Sequence, residues 1–214
     1  MPLDELVAIN DNLAYAIWHI QESEEALLQE LHANPVDSAL YTTFRHPIKR
    51  IEWLAARLAY QRLCQEMDIP YEPIRKGLYD RPYIGDGHMH MSLSHCFPFA
   101  GAALSKHTPV GIDIEITSPK LINVQSKYLT PIEIADSNQD LEKLCIYWCA
   151  KEAVYKAYTH VHYSSLLFIQ IEPFSKALRG SLIGHTPSGH HYLIHYQITA
   201  RYILAWCKEQ RSTD

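Results

Sequence analysis

The chain is 214 residues long, 47% hydrophobic and 20% charged. That is the make-up of an ordinary globular protein and excludes a disordered, collagen-like or coiled-coil chain. Nineteen Lys and Arg against 24 Asp and Glu give a net charge of −5, so there is no overall basic field to hold nucleic acid, and an anionic ligand has to be met by a local cluster of cations.

Residues 13–20 are apolar and rich in β-formers and predict a strand. Ser23 is placed to cap a helix in which Ala26, Leu27, Leu28 and Leu31 follow at helical spacing, ending before Asn34-Pro35. A longer helix is predicted over 47–67, with Ile51, Leu54, Leu58 and Leu63 as its apolar stripe and Arg50 and Arg57 two turns apart. After a turn-rich stretch, short strands are predicted over 89–94, 100–105 and 110–116. Residues 119–128 read as helical, and Thr130-Pro131-Ile132-Glu133 has the cap, Pro and Glu of a helix start. A strong helix spans 141–159, followed by strands near 166–171, 178–184, 191–198 and 202–208. Each half is therefore helices followed by antiparallel strands, an α+β arrangement.

No run reaches the ~20 apolar residues of a membrane helix, and Met1-Pro2-Leu3-Asp4-Glu5 has neither the basic nor the apolar region of a signal peptide. The scattered Cys64, Cys96, Cys145, Cys149 and Cys207 predict reduced thiols in a cytoplasmic protein. Cys145 and Cys149 share a helix face, and His88 and His90 a strand face. Neither pair has further ligands at short spacing, so packing is the simpler reading of both.

Three stretches carry chemistry. In Val110-Gly111-Ile112-Asp113-Ile114-Glu115, strand alternation puts Asp113 and Glu115 on one face. Two such acids repel unless a cation lies between them; the choice is a hard divalent ion or a solvated edge face. In the strong helix, Glu152 and Lys156 are four residues apart. They form either a surface ion pair or, with Lys151, a third carboxylate and two cations for a metal–phosphate site. Met91-Ser92-Leu93-Ser94-His95 ends a strand at a turn, where Ser94 and His95 can donate to a phosphate; a nucleophile elbow is absent.

Together these stretches resemble the 4′-phosphopantetheinyl transferases, in particular the larger, Sfp-type members. Residues 111–115 match the signature Gly-Ile/Val-Asp-x-Glu, and residues 148–156 match Trp/Phe-x-x-Lys-Glu-Ala/Ser-x-x-Lys. Asp80-Arg81-Pro82 stands where the family has Gly-Lys-Pro, and Ser92-Leu93-Ser94-His95 where it has Ser-x-Ser-His. Cys149 replaces the common Ser or Thr.

The resemblance implies an α+β fold of two similar α/β halves related by a pseudo-twofold axis, here 1–109 and 110–214, with the active site at their interface. It implies transfer of the 4′-phosphopantetheine group of coenzyme A to a serine hydroxyl of an apo acyl or peptidyl carrier protein, releasing adenosine 3′,5′-bisphosphate. The enzyme would be magnesium-dependent, cytoplasmic and monomeric, with no nucleic-acid or membrane partner. On this resemblance Asp113, Glu115 and Glu152 hold Mg²⁺, Glu152 or a metal-bound water is the base, and Lys156 serves the leaving group. Arg81, Ser94, His95 and Lys151 meet phosphates, and Arg50 (or Arg45 or Arg57) the 3′-phosphate. Asp113→Ala is expected to abolish transfer with little loss of stability, as a solvated carboxylate would. Two other readings are a metal-dependent nuclease, which the acidic balance opposes, and a non-catalytic coenzyme A or carrier-protein binder, which retention of three acids and Lys156 opposes.

Overall fold

The computed structural model describes residues 3–31, 39–77, 81–158 and 165–210. The predicted stop at Asn34-Pro35, the substitution at Asp80 and the predicted helix end at Thr159 lie outside the described residues. The chain divides into two units, Met1–Thr108 and Pro109–Asp214.

The first unit opens with a hairpin of β1 (Leu3–Asn10) and β2 (Leu13–His19). Only β2 is predicted from the sequence. β1 is the edge of the sheet, partly exposed along its length, so its residues lack the sustained apolar run that marks β2. Helix α1 (Glu24–Glu30) starts as expected, with the Ser23 side chain accepting from the Ala26 N–H. Helix α2 (Pro47–Glu66) has Pro at its start and buries Leu54, Leu58 and Leu63. A two-residue ribbon of β3 (Arg75–Lys76) and β4 (Pro82–Tyr83) precedes β5 (His90–Cys96) and β6 (Phe99–Ser105). The sheet runs β1–β2–β6–β5, antiparallel throughout. Ala14, Ala16, Ala100 and Ala102 share a core with Trp18, Leu54, Leu58 and Tyr60. Small strand residues let α2 lie close, and the larger side chains fill the remaining space.

The second unit begins with β7 (Val110–Glu115), then α3 (Lys120–Val124), a 3₁₀ turn over Gln125–Lys127, α4 (Pro131–Ser137) and α5 (Leu141–Ala157). The capping box predicted at Thr130 is formed: its side chain accepts from the Glu133 N–H while the Glu133 carboxylate accepts from the Thr130 N–H. Asp140 caps α5. After it come a 3₁₀ turn over Leu166–Phe168 and the strands β8 (Gln170–Ile171), β9 (Arg179–His185), β10 (His191–Ile198) and β11 (Ile203–Gln210). The strand predicted over 166–171 is thus mostly a turn, because the Ser165 hydroxyl accepts from the Leu167 N–H and winds the chain there.

The sheet order is β7–β11–β10–β9–β8, antiparallel. Helix α5 packs on β7, β11 and β10 and is buried nearly all round. One residue sets how closely it lies. A Cβ on Gly111 would stand 1.8 Å from the carbonyl oxygen of Ala153, so only glycine lets the α5 backbone touch β7. No helix among the described residues is long and apolar enough to cross a membrane.

Candidate functional site

The contact at Gly111 brings the two signature segments together within the second unit. On β7, Ile112 and Ile114 are fully buried on one face while Asp113 and Glu115 point from the other, as the alternation predicts. Asp113 is not solvated, however: it is 4% exposed. Lys156 reaches it from the last turn of α5, with Nζ 2.7 Å from Asp113 Oδ1 and 3.1 Å from the Ile112 carbonyl oxygen. This corrects the expectation that removing Asp113 would cost little stability, since the change strips a partner from a lysine that is only 26% exposed. The indole Nε1–H of Trp148 donates to Glu115 Oε1 at 3.3 Å.

Glu152 lies on the same side of α5, half-buried. Burial, then the charge of Asp113 and more weakly that of Glu115, push its carboxyl up to about 7, against the pull of Lys156. Three carboxylates therefore feel one another, as the sequence spacing suggests. They do not form a closed cage: among the described residues no group of three or more His, Cys, Asp or Glu is gathered to hold a metal ion. Lys156 and Trp148 engage Asp113 and Glu115 instead. The donor set fits a hard divalent ion chemically, being all carboxylate oxygen with a mutual repulsion that such an ion relieves.

A cavity of about 390 Å³ is lined by Val124, Lys127, Tyr128, Trp148, Glu152 and Leu166. Its walls are mostly apolar, with one carboxylate and one ammonium group. Trp148 packs edge-on against Tyr128 with ring centroids 5.0 Å apart. The sequence reading gave Lys127 and Tyr128 no role and used Trp148 only as a motif letter. Their relation to Glu152 depends on the 3₁₀ turn at Gln125–Lys127 folding back beside α5, which no local pattern signals.

Lys151 does not join this group. It is fully buried, with Nζ 2.7 Å from both Glu133 Oε2 and the Tyr128 carbonyl oxygen. Burial lowers its pKa and the Glu133 carboxylate opposes the drop. Consecutive residues are about 100° apart around a helix, so Lys151 and Glu152 cannot both face the cavity. Cys145 and Cys149 are core residues of the same helix, and burial pushes the Cys149 thiol well up.

In the first unit, Ser94 is buried on β5 and His95 follows it, with Nδ1 3.3 Å from Glu52 Oε2. Arg81 is partly buried beside β4, and its carbonyl oxygen accepts from the Gly77 N–H. Arg50 is ion-paired with Glu24 at 2.9 Å. Arg57 is buried with its guanidinium 3.4 Å over the Trp53 ring, and Arg45 is exposed.

The site is thus an acid pair on a strand, a third acid and a lysine on the helix packed against it, and a mostly apolar cavity beside them. Residues 109–207 match the family model of the 4′-phosphopantetheinyl transferase superfamily. A stretch of 118 residues is 31% identical to the 4′-phosphopantetheinyl transferase PptT of Mycobacterium tuberculosis (strain ATCC 25618 / H37Rv), covering 51% of this chain and 51% of that protein. The match thus spans about half the length of the curated relative. Over residues 109–207 the chain is therefore similar to the same superfamily that the motifs resemble.

Proposed function

We propose that the protein transfers the 4′-phosphopantetheine group of coenzyme A to a serine hydroxyl of an apo acyl or peptidyl carrier protein, releasing adenosine 3′,5′-bisphosphate. The observation that carries this reading is Lys156 on Asp113 beside Glu115 and a half-buried Glu152 that lines a mostly apolar cavity. Asp113, Glu115 and Glu152 would hold a magnesium ion, which when bound offsets the charge on the pyrophosphate. The rest falls to the chain itself. Glu152 takes the proton of the attacking serine, whose oxygen bonds to the β-phosphorus as the bond to the leaving phosphate breaks. Lys156 donates to an oxygen of the leaving bisphosphate, exchanging its carboxylate partner for a phosphate. The cavity wall of Val124, Trp148 and Leu166 keeps water from the reacting centre.

Arg81, Ser94 and His95 are assigned to the coenzyme's phosphates on the resemblance, and Arg50 to the 3′-phosphate. The assignment of Arg50 requires it to leave Glu24. The expectation of two like halves is supported by one feature of each unit: a long helix, Pro47–Glu66 or Leu141–Ala157, packed on an antiparallel sheet. A monomer in the cytoplasm belongs to the same reading.

Incubation with coenzyme A, Mg²⁺ and a panel of apo carrier proteins should add one phosphopantetheine to a carrier, read by intact mass. No adduct on any carrier overturns the reading. Coenzyme A binding by calorimetry without turnover would instead identify a non-catalytic binder.

A further inference from the structure

Glu52 is a carboxylate where the sequence suggests none is needed. It lies on α2, 4% exposed, between Ile51 and Trp53 in the apolar run of that helix. A buried charge of this kind is retained only with partners, and it has three. Oε1 accepts from the Phe97 N–H at 3.0 Å, in the turn between β5 and β6. Oε2 lies 2.9 Å from Lys49 Nζ and 3.3 Å from His95 Nδ1. Any neutral acceptor would satisfy the Phe97 amide. Only an anion favours the charged form of the imidazole above it.

We propose that Glu52 is a positioning residue for His95. Its carboxylate turns the Nδ1 side inward, so that Nε2 is left to meet a phosphate, the ring then lying between two anions. This rests on the transferase reading, in which His95 binds a phosphate of coenzyme A. The His95 side chain is 41% exposed while that of Glu52 is 5% exposed, so the ligand can touch the imidazole and hardly the carboxylate. The pattern is the one seen where a carboxylate behind a histidine fixes its tautomer and raises its basicity. Among the described residues, Lys49 is the other charged group paired with Glu52; it is mostly exposed and opposes the carboxylate. From the neighbouring strand β6 come Phe99 and Ala100, neither titratable, and beyond Phe99 the ring of His19 stacks on it at 4.9 Å. On β5 itself the flanking residues are Ser94 and the partly buried thiol of Cys96.

The test is Glu52→Gln, which keeps an acceptor for the Phe97 amide and removes the charge. The KM for coenzyme A should rise about tenfold, the effect of weakening one hydrogen bond to a charged group, with kcat within about twofold of wild type. His95→Ala should do the same, and the double variant should be no worse than His95→Ala alone, because the two residues act as one. A Glu52 that merely pins the β5–β6 turn would lower kcat with KM unchanged, or would add its loss to that of His95→Ala; either result overturns the proposal. Should Glu52→Gln not fold, the imidazole ¹⁵N spectrum of His95 in the wild type decides. A proton on Nδ1, whether on the neutral ring or on the imidazolium, supports the proposal, and a neutral ring protonated on Nε2 alone overturns it. That spectrum needs no coenzyme A, so it stands even if the wild type shows no transfer and the transferase reading itself fails.

Discussion

Two lysines five residues apart on α5 each hold a carboxylate at 2.7 Å, and their surroundings differ completely. Lys151 and Glu133 are sealed. The Glu133 carboxylate also accepts from the Thr130 and Ile171 N–H groups, so one side chain ties the start of α4, the middle of α5 and β8 together. Lys156 and Asp113 sit at the edge of the core, where the lysine is partly open to solvent and two further acids stand close. The first pair is buried with two acceptors on the ammonium and three donors on the carboxylate, out of reach of any ligand. The second is crowded by like charges, and on the proposed function it trades its partner for a phosphate. Chemical identity does not separate a structural ion pair from a reactive one; access and neighbouring charge do.

The contrast predicts that Glu133→Ala has the largest effect on folding. It leaves a buried ammonium with only the Tyr128 carbonyl and two amides without an acceptor, and should cost about 3–5 kcal/mol in urea denaturation. A loss below about 1 kcal/mol would show that Lys151 finds water or deprotonates at no cost, and the sealed description would be wrong. Lys156→Ala should divide differently. The transfer rate should fall about 10²–10³-fold, while stability falls by about 1.5–3 kcal/mol, the worth of a hydrogen bond between charged groups. If Lys156→Ala destabilises as much as Glu133→Ala yet leaves the rate intact, the two pairs are alike and both structural.

Gly111→Ala tests what brings the second pair together. The new Cβ has to push the Ala153 carbonyl, which is helix backbone and cannot step aside. Overpacking of this kind costs about 1–3 kcal/mol. Because the displaced turn of α5 carries Glu152 and Lys156, the rate should fall more than the loss of folded protein explains, as measured on protein shown to be folded by circular dichroism. A rate reduced only in proportion to the folded fraction would mean that the close approach serves packing alone.

Much of this was legible in the sequence. Strand alternation put Asp113 and Glu115 on one face, and the cap at Thr130 was formed as written. The assignment of Lys151 to phosphate failed, and a signal against it was present. Leu144, Tyr147, Lys151, Val154 and Tyr158 fall at the helical spacing of a single apolar stripe, and all five are buried. A lysine inside that stripe points to the core, and the nearest acid that could meet it had already been read as a cap. What the sequence could not supply is pairing across the fold. That Glu133 serves both the cap and Lys151, that Lys156 meets Asp113 rather than only its helical neighbour Glu152, and that Glu52 lies under His95 all depend on how helices lie on sheets. The hairpin strand β1 was missed for the complementary reason: an edge strand needs no apolar run, so Asp4 and Glu5 hid it.

The smallest expected effect belongs to Trp148, which stands between the two pairs. Its ring packs on Tyr128, whose carbonyl oxygen accepts from Lys151, while its N–H reaches Glu115 beside Asp113. Trp148→Phe keeps an aromatic ring against Tyr128 and removes the N–H donor together with part of the indole bicycle. The sealed pair should be indifferent to this, so the loss in urea denaturation should stay near 1 kcal/mol, the net worth of one hydrogen bond to a partly buried carboxylate. The open side should respond in another way. Without the indole donor the Glu115 charge is less well held and presses harder on Glu152. The carboxyl of Glu152, already pushed up to about 7, should titrate higher still, which ¹³C-carboxylate spectra of the metal-free protein can follow. A downward shift, or none, would mean that Trp148 holds Glu115 for packing and has no part in balancing the charges around Glu152.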